Sequence, residues 1–155
     1  MERFLDTFIY GPDAVLIDAV TRLDADAKEI EGVFDTTRPL SITEQQRGDP
    51  ALHPRHVSAP EMLQVTGILG CMYAYFVHGI RWDEGWVGFG SRIHRADFRE
   101  LARLGPPLRL LGTETRSRVG TARIMLRFAF EFRQEDRVVY RGDQSALFLF
   151  RPTYE

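Results

Sequence analysis

The sequence predicts an α+β domain in which an antiparallel sheet of about six strands wraps around one long central helix. Three observations carry this. The stretch Ala59 to Val77 is apolar nearly all round, with Met62, Leu63, Val65, Ile68, Leu69, Cys71, Met72, Tyr75 and Phe76 spread over every helical face, so it must be enclosed. Ile124, Leu126, Phe128, Phe130 and Phe132 alternate with polar residues, as a strand with one dry side does. Strand-like segments occur in runs on both sides of the single helix, which argues against alternating βαβ units.

In chain order, Ala14 to Leu23 and Lys28 to Asp35 read as two strands joined by the polar stretch from Asp24 to Ala27. Thr36 to Pro54, rich in proline, glycine and polar residues, reads as a crossing loop. Ser58 and Glu61 have the spacing of a capping box at the helix start, and His78 with Gly79 supplies a stop. Trp86 to His94 follows as a strand, then an irregular or helical piece from Asp97 to Leu104. Leu108 to Val119, Thr121 to Arg133 and Val138 to Phe150 complete the sheet, with Pro152 ending it. Gly67 and Gly70 are expected to let the sheet pack closely on the helix.

At 155 residues, 44% hydrophobic and 27% charged, the chain (1–155) is expected to form a single domain. Its formal net charge of −2 lacks the basic excess that phosphate backbones require, so nucleic acid is excluded as the expected partner. No apolar run approaches the roughly 18 residues of a membrane span, and the start of the chain lacks a signal core, so the expected location is the cytoplasm. The lone Cys71 excludes an internal disulfide framework.

Chemistry-bearing residues gather just before the helix. His56 sits two residues ahead of Ser58, and His53 five ahead, where a histidine can serve as a general acid or base. Glu61 is the capping partner of Ser58 and also a candidate catalytic carboxylate, since a helix N-terminus can direct N–H groups at a thioester carbonyl. Gln64 and Thr66 interrupt the apolar helix and must each find a hydrogen bond or line a cavity. No histidine, cysteine or carboxylate set has metal-ligand spacing, so no metal is expected. Arg116, Arg118, Arg123 and Arg127 either hold a phosphate or form a solvated strand face, and alternation favours the face.

The architecture resembles the hot-dog superfamily over most of the chain. The segment His56, Val57, Ser58, Ala59, Pro60, Glu61 is similar to the helix entry of FcoT-like acyl thioesterases and enoyl-ACP glycine-adding enzymes, His-Phe-Asn-Ala-x-Glu, with Val57 for Phe and Ser58 for Asn. Pro60 to Thr66 more distantly resembles the FabZ/FabA-like 3-hydroxyacyl-ACP dehydratases, but Thr66 stands where their catalytic carboxylate would be.

The resemblance implies an enzyme acting on acyl-ACP or acyl-CoA in fatty-acid, polyketide or lipopeptide biosynthesis, by hydrolysis or by conjugate addition to an enoyl thioester. His56 and Glu61 are then the expected catalytic residues. His53, Ser58, Gln64, Met72, Tyr75 and Phe76 are expected to bind substrate. The alternatives are a dehydratase, as one subunit of a heteromer, and a non-catalytic acyl-binding protein. No cofactor is expected beyond the phosphopantetheine of ACP or CoA that carries the substrate. Exposed sheet edges predict a homodimer or a higher even oligomer, with a heterodimer as the variant case.

Overall fold

The structure is a computed structural model describing residues 2–151; Pro152, expected to end the last strand, lies outside the described residues. A short helix α1 (Glu2–Thr7) precedes strands β1 (Ala19–Asp24) and β2 (Glu29–Phe34), the long helix α2 (Ala59–Val77), and strands β3 (Trp86–Phe98), β4 (Leu108–Val119), β5 (Arg123–Gln134) and β6 (Arg137–Phe150). The six strands form one antiparallel sheet in the order β1-β2-β4-β5-β6-β3. Both edges are therefore known: β1 is short, and β3 is long and pairs only with β6.

The dry side of β5 faces α2. Leu126, Phe128, Phe130 and Phe132 are buried together with Val65, Ile68, Leu69 and Met72 of the helix. Close approach of helix and sheet is made possible by Gly112 on β4, where a Cβ would lie 3.1 Å from Phe130, 3.2 Å from Ile30 and 3.3 Å from Leu69. This corrects the role expected of Gly67, whose Cβ would meet nothing within 4 Å; at Gly70 it would make only ordinary contact with Phe128, at 3.4 Å.

Three elements differ from expectation, each for a local reason. Val15 to Ile17 is buried but carries no ladder, because the carbonyl of Ala14 accepts from Gln64 Nε2 (2.7 Å) and that of Val15 from Arg38 Nη1 (3.0 Å). The chain joins β2 only from Ala19. Strand β3 runs on through Asp97 to Phe98, held by pairing as far as Tyr140 of β6. The N-terminal helix was not expected; it is anchored by Phe4, fully buried, stacked on Phe8 at 4.5 Å and edge-on to Tyr75 at 5.3 Å. That anchor brings Phe8, Ile9 and Tyr10 alongside α2.

Candidate active site

Helix α2 begins with the expected capping box. The Ser58 hydroxyl oxygen accepts from the Glu61 N–H at 3.4 Å, and the Ser58 N–H donates to Glu61 Oε2 at 3.2 Å. Glu61 does more than cap. Its Oε1 accepts the N–H groups of Ile42 (2.9 Å) and Thr43 (3.2 Å), and its Oε2 accepts the hydroxyls of Ser58 (2.7 Å) and Thr43. Burial alone would push this carboxyl up, but the hydroxyls of Thr43 and Ser58 with the two N–H groups outweigh it and hold Glu61 below its ordinary range. It is 2% exposed, and none of its five donors is His56. Glu61 thus ties the crossing loop to the helix start.

His56 is held by its backbone. The Gln46 side chain clamps it from both sides, accepting the His56 N–H at 3.1 Å and donating to the His56 carbonyl at 2.8 Å. The next residue, Val57, donates to Ala102 at 2.9 Å. Within the half-buried ring, Nδ1 lies 3.0 Å from the Pro54 carbonyl oxygen. A carbonyl only accepts, so Nδ1 carries the proton and Nε2 is left as the basic nitrogen. His53 is exposed in a tight bridge with Asp49, its ring centroid 5.3 Å from that of His56. Gln46, absent from the sequence candidates, lies in the aperiodic crossing loop, where no spacing marks it.

Beside α2 lies an apolar cavity of about 600 Å³, walled by one helix face (Leu63, Gly67, Gly70, Cys71), the inner sides of β3 and β6 (Gly88, Gly90, Ala146), Phe128 and Phe130 of β5, and the segment Phe8 to Tyr10. The size suits a small-molecule ligand. Gly67 lines this space, and although a mid-helix glycine costs roughly 1 kcal/mol relative to alanine, a Cβ there would meet nothing within 4 Å, so packing does not require the glycine. Polar atoms are few. Thr66 Oγ1 lies 2.6 Å from the Leu63 carbonyl and 2.9 Å from Gln144 Oε1, and Gln144 reaches Tyr140 at 3.0 Å. Gln64, at the exposed rim, uses one amide hydrogen on Ala14. Burial pushes the Cys71 thiol up to about 12, so it stays an uncharged wall residue.

Of the eight sequence-predicted residues only Gln64 lines this cavity. Met72 and Tyr75 point into the core, 0% and 4% exposed, and Phe76 packs on Tyr75 at 5.1 Å; the apolar sequence of α2 does not reveal which face meets the core. His56, Ser58 and Glu61 form the knot at the helix start, next to the cavity-lining Pro60. Elsewhere, His94 Nε2 lies 2.8 Å from Ser145 Oγ, but the adjacent Asp143 is occupied by Arg127 at 2.7 and 2.6 Å, so no triad forms. His78 at the helix exit is bound to the buried Glu114 at 2.6 Å. Among the described residues no group of three or more His, Cys, Asp or Glu could hold a metal, and no helix is long and apolar enough to cross a membrane.

No family model matches the sequence, and no curated protein matches it. Solved structures do match in shape. A thioesterase from Haemophilus influenzae superposes with a TM-score of 0.64 at 13% identity, covering 96% of this chain and 90% of that one. A mutant thioesterase from Pseudomonas aeruginosa gives 0.59 at 10% identity, over 85% and 81%. A hypothetical thioesterase from Streptococcus pneumoniae, crystallised with coenzyme A, gives 0.55 at 9% identity, over 87% and 88%. Identities this low speak to architecture. With one antiparallel sheet closed around a single long helix, these likenesses show that the chain adopts the hot-dog fold.

Proposed function

We propose that this protein binds an acyl thioester with the acyl tail in the cavity beside α2, and hydrolyses it with His56 as general base. The observation that carries the reading is that cavity, apolar, of about 600 Å³, walled by one face of α2 and the inner side of the sheet. Thioesterases sharing the fold, one of them crystallised with coenzyme A, support the substrate class. The second amide hydrogen of Gln64 is the donor for the thioester carbonyl. His56 Nε2 takes a proton from water as the water oxygen adds to the carbonyl carbon; the C–S bond then breaks, and the proton passes to the departing sulfur. Glu61 is a positioning residue, holding the loop that carries His56. No cofactor enters beyond the thiol carrier.

Edge pairing through β3 makes a homodimer in this reading, since thirteen residues of that strand expose one unpaired side. A second reading, acyl binding without turnover, is favoured by one observation: no carboxylate or histidine lines the cavity among the described residues. Conjugate addition needs the same polarised carbonyl and is separated by assay. Dehydration is disfavoured, because a hydroxyl at Thr66 cannot serve as an acid near neutral pH.

The test follows thiol release and product mass for saturated acyl-CoA and acyl-ACP of graded length, and for enoyl thioesters with glycine. Thiol release that falls about 100-fold in His56→Ala at unchanged melting temperature supports hydrolysis by His56. Equal turnover in His56→Ala removes it from the chemistry. Saturable binding without release selects the second reading, and a mass gain equal to glycine selects addition.

A further inference from the structure

One donor in the cavity wall is unspent. Gln144 of β6 shares a face with its cross-strand partner Phe128, and both line the cavity beside α2. Its amide lies between two fully buried groups: Oε1 is 2.9 Å from Thr66 Oγ1, and Nε2 is 3.0 Å from the Tyr140 hydroxyl. The Thr66 hydroxyl has one hydrogen and two acceptors in reach, and it serves the closer, the Leu63 carbonyl at 2.6 Å. Two oxygens then face each other across 2.9 Å, and the Tyr140 hydrogen has no acceptor among the described residues. Turning the amide over exchanges two groups of equal size and removes both faults, since Nε2 then donates to Thr66 and Oε1 accepts from Tyr140. Burial pushes the Tyr140 phenol up, so that hydrogen stays in place to be donated.

In either setting Nε2 carries a second hydrogen, and no described residue accepts it. The amide is held at both ends, so this hydrogen has a fixed place. Thr66 and Tyr140 are each 0% exposed, and Tyr140 is itself packed against Phe98 at 5.3 Å and Phe132 at 5.1 Å. The surrounding wall is apolar, and among the described residues no charged side chain lines the cavity. A carboxylate or phosphate would enter without a counter-charge, whereas a neutral oxygen would find a donor. A purely hydrocarbon tail would leave the amide hydrogen unmet.

We propose that Gln144 selects an acyl chain bearing a neutral acceptor oxygen, a keto group in its simplest form, at one fixed position along its length. The proposal rests on the reading of the cavity as an acyl-tail site and specifies the tail. The probes are dodecanoyl-CoA, its isomers with one keto group at successive chain positions, and the matching free keto acids, each titrated by calorimetry against the wild type and Gln144→Met. All keto isomers give up the same hydration on entry, and only one recovers it from Gln144. That isomer is expected to bind the wild type at least about tenfold tighter than the others. Its affinity relative to dodecanoyl-CoA is expected to fall at least about tenfold in Gln144→Met. Where Gln144→Met fails to fold, Gln144→Asn, which withdraws the amide by one methylene, carries the same expectation. Equal affinities across the isomers, or an unaltered preference in the folded variant, overturn the proposal. So does an equal loss for dodecanoyl-CoA and every isomer, which would make Gln144 a donor to the thioester carbonyl. If the free keto acids show the Gln144-dependent order while no CoA ester binds, the thioester reading fails and this proposal stands; if neither series binds, this proposal falls.

Discussion

At the scale of single residues, the start of α2 separates what adjacent sequence can show from what it cannot. The spacing of Ser58 and Glu61 reveals the capping box because both partners lie within one turn. The other half of the Glu61 environment comes from Ile42 and Thr43, at the far side of a loop without periodicity, and was illegible for that reason. The difference is measurable. A capping box accepts glutamine as readily as glutamate, but here an amide NH₂ in place of Oε2 would face the Ser58 N–H, a donor against a donor. Glu61→Gln is therefore expected to cost about 1 to 3 kcal/mol, read as a lowered melting temperature. Retention of wild-type stability would reduce Glu61 to an ordinary cap. Gln46→Ala is expected to lower turnover with little change in substrate affinity, since it frees the backbone that aims His56 while leaving the cavity untouched; a pure loss of affinity would contradict that positioning role.

Among the elements, α2 was the most legible, with the expected bounds Ala59 to Val77, because a helix apolar on all sides has few places to go. The same all-round apolarity hid its orientation. Nothing in the pattern says that Gly67 and Cys71 face a cavity while Met72 and Tyr75 face the core. Substitution at Gly67 tests the assignment from both directions. Gly67→Ala should raise stability by about 0.5 to 1 kcal/mol, because the methyl enters open space and the helix gains propensity. Gly67→Phe should fold but exclude long acyl chains, shifting preference towards short ones in the graded-length assay. Unchanged chain-length preference in the phenylalanine variant would place the acyl tail elsewhere.

For the molecule as a whole, the strand order could not be read from the chain, since antiparallel pairing leaves many orders open until hairpins and crossovers are fixed. It matters because it leaves β3 at an edge. Light scattering in solution is expected to give twice the mass of the 155-residue chain, and proline substitutions on the outward backbone of β3 should shift it to monomer; a monomeric wild type would refute the pairing. Acid stability follows from two buried carboxylates. Burial would raise Glu114, but His78 and Ser117, with the charges of His78 and Lys28, hold it low, as the donors of Glu61 do for that residue. Both folded values lie below the unfolded value of about 4.3, so their stabilisation is full above it and is lost as pH falls through the folded values. Melting temperature should hold from neutrality to about pH 5 and decline below, with a shallower decline in Glu114→Gln, whose starting stability is lower. Finally, the only thiol of the chain stands in the cavity wall. The protein therefore carries its own occupancy gauge: at alkaline pH, where a small fraction of so weakly acidic a thiol ionises, a small thiol reagent would report, at one atom, whether the chamber is empty or filled, and its slowing by a ligand would rank candidate tails before any reaction is known.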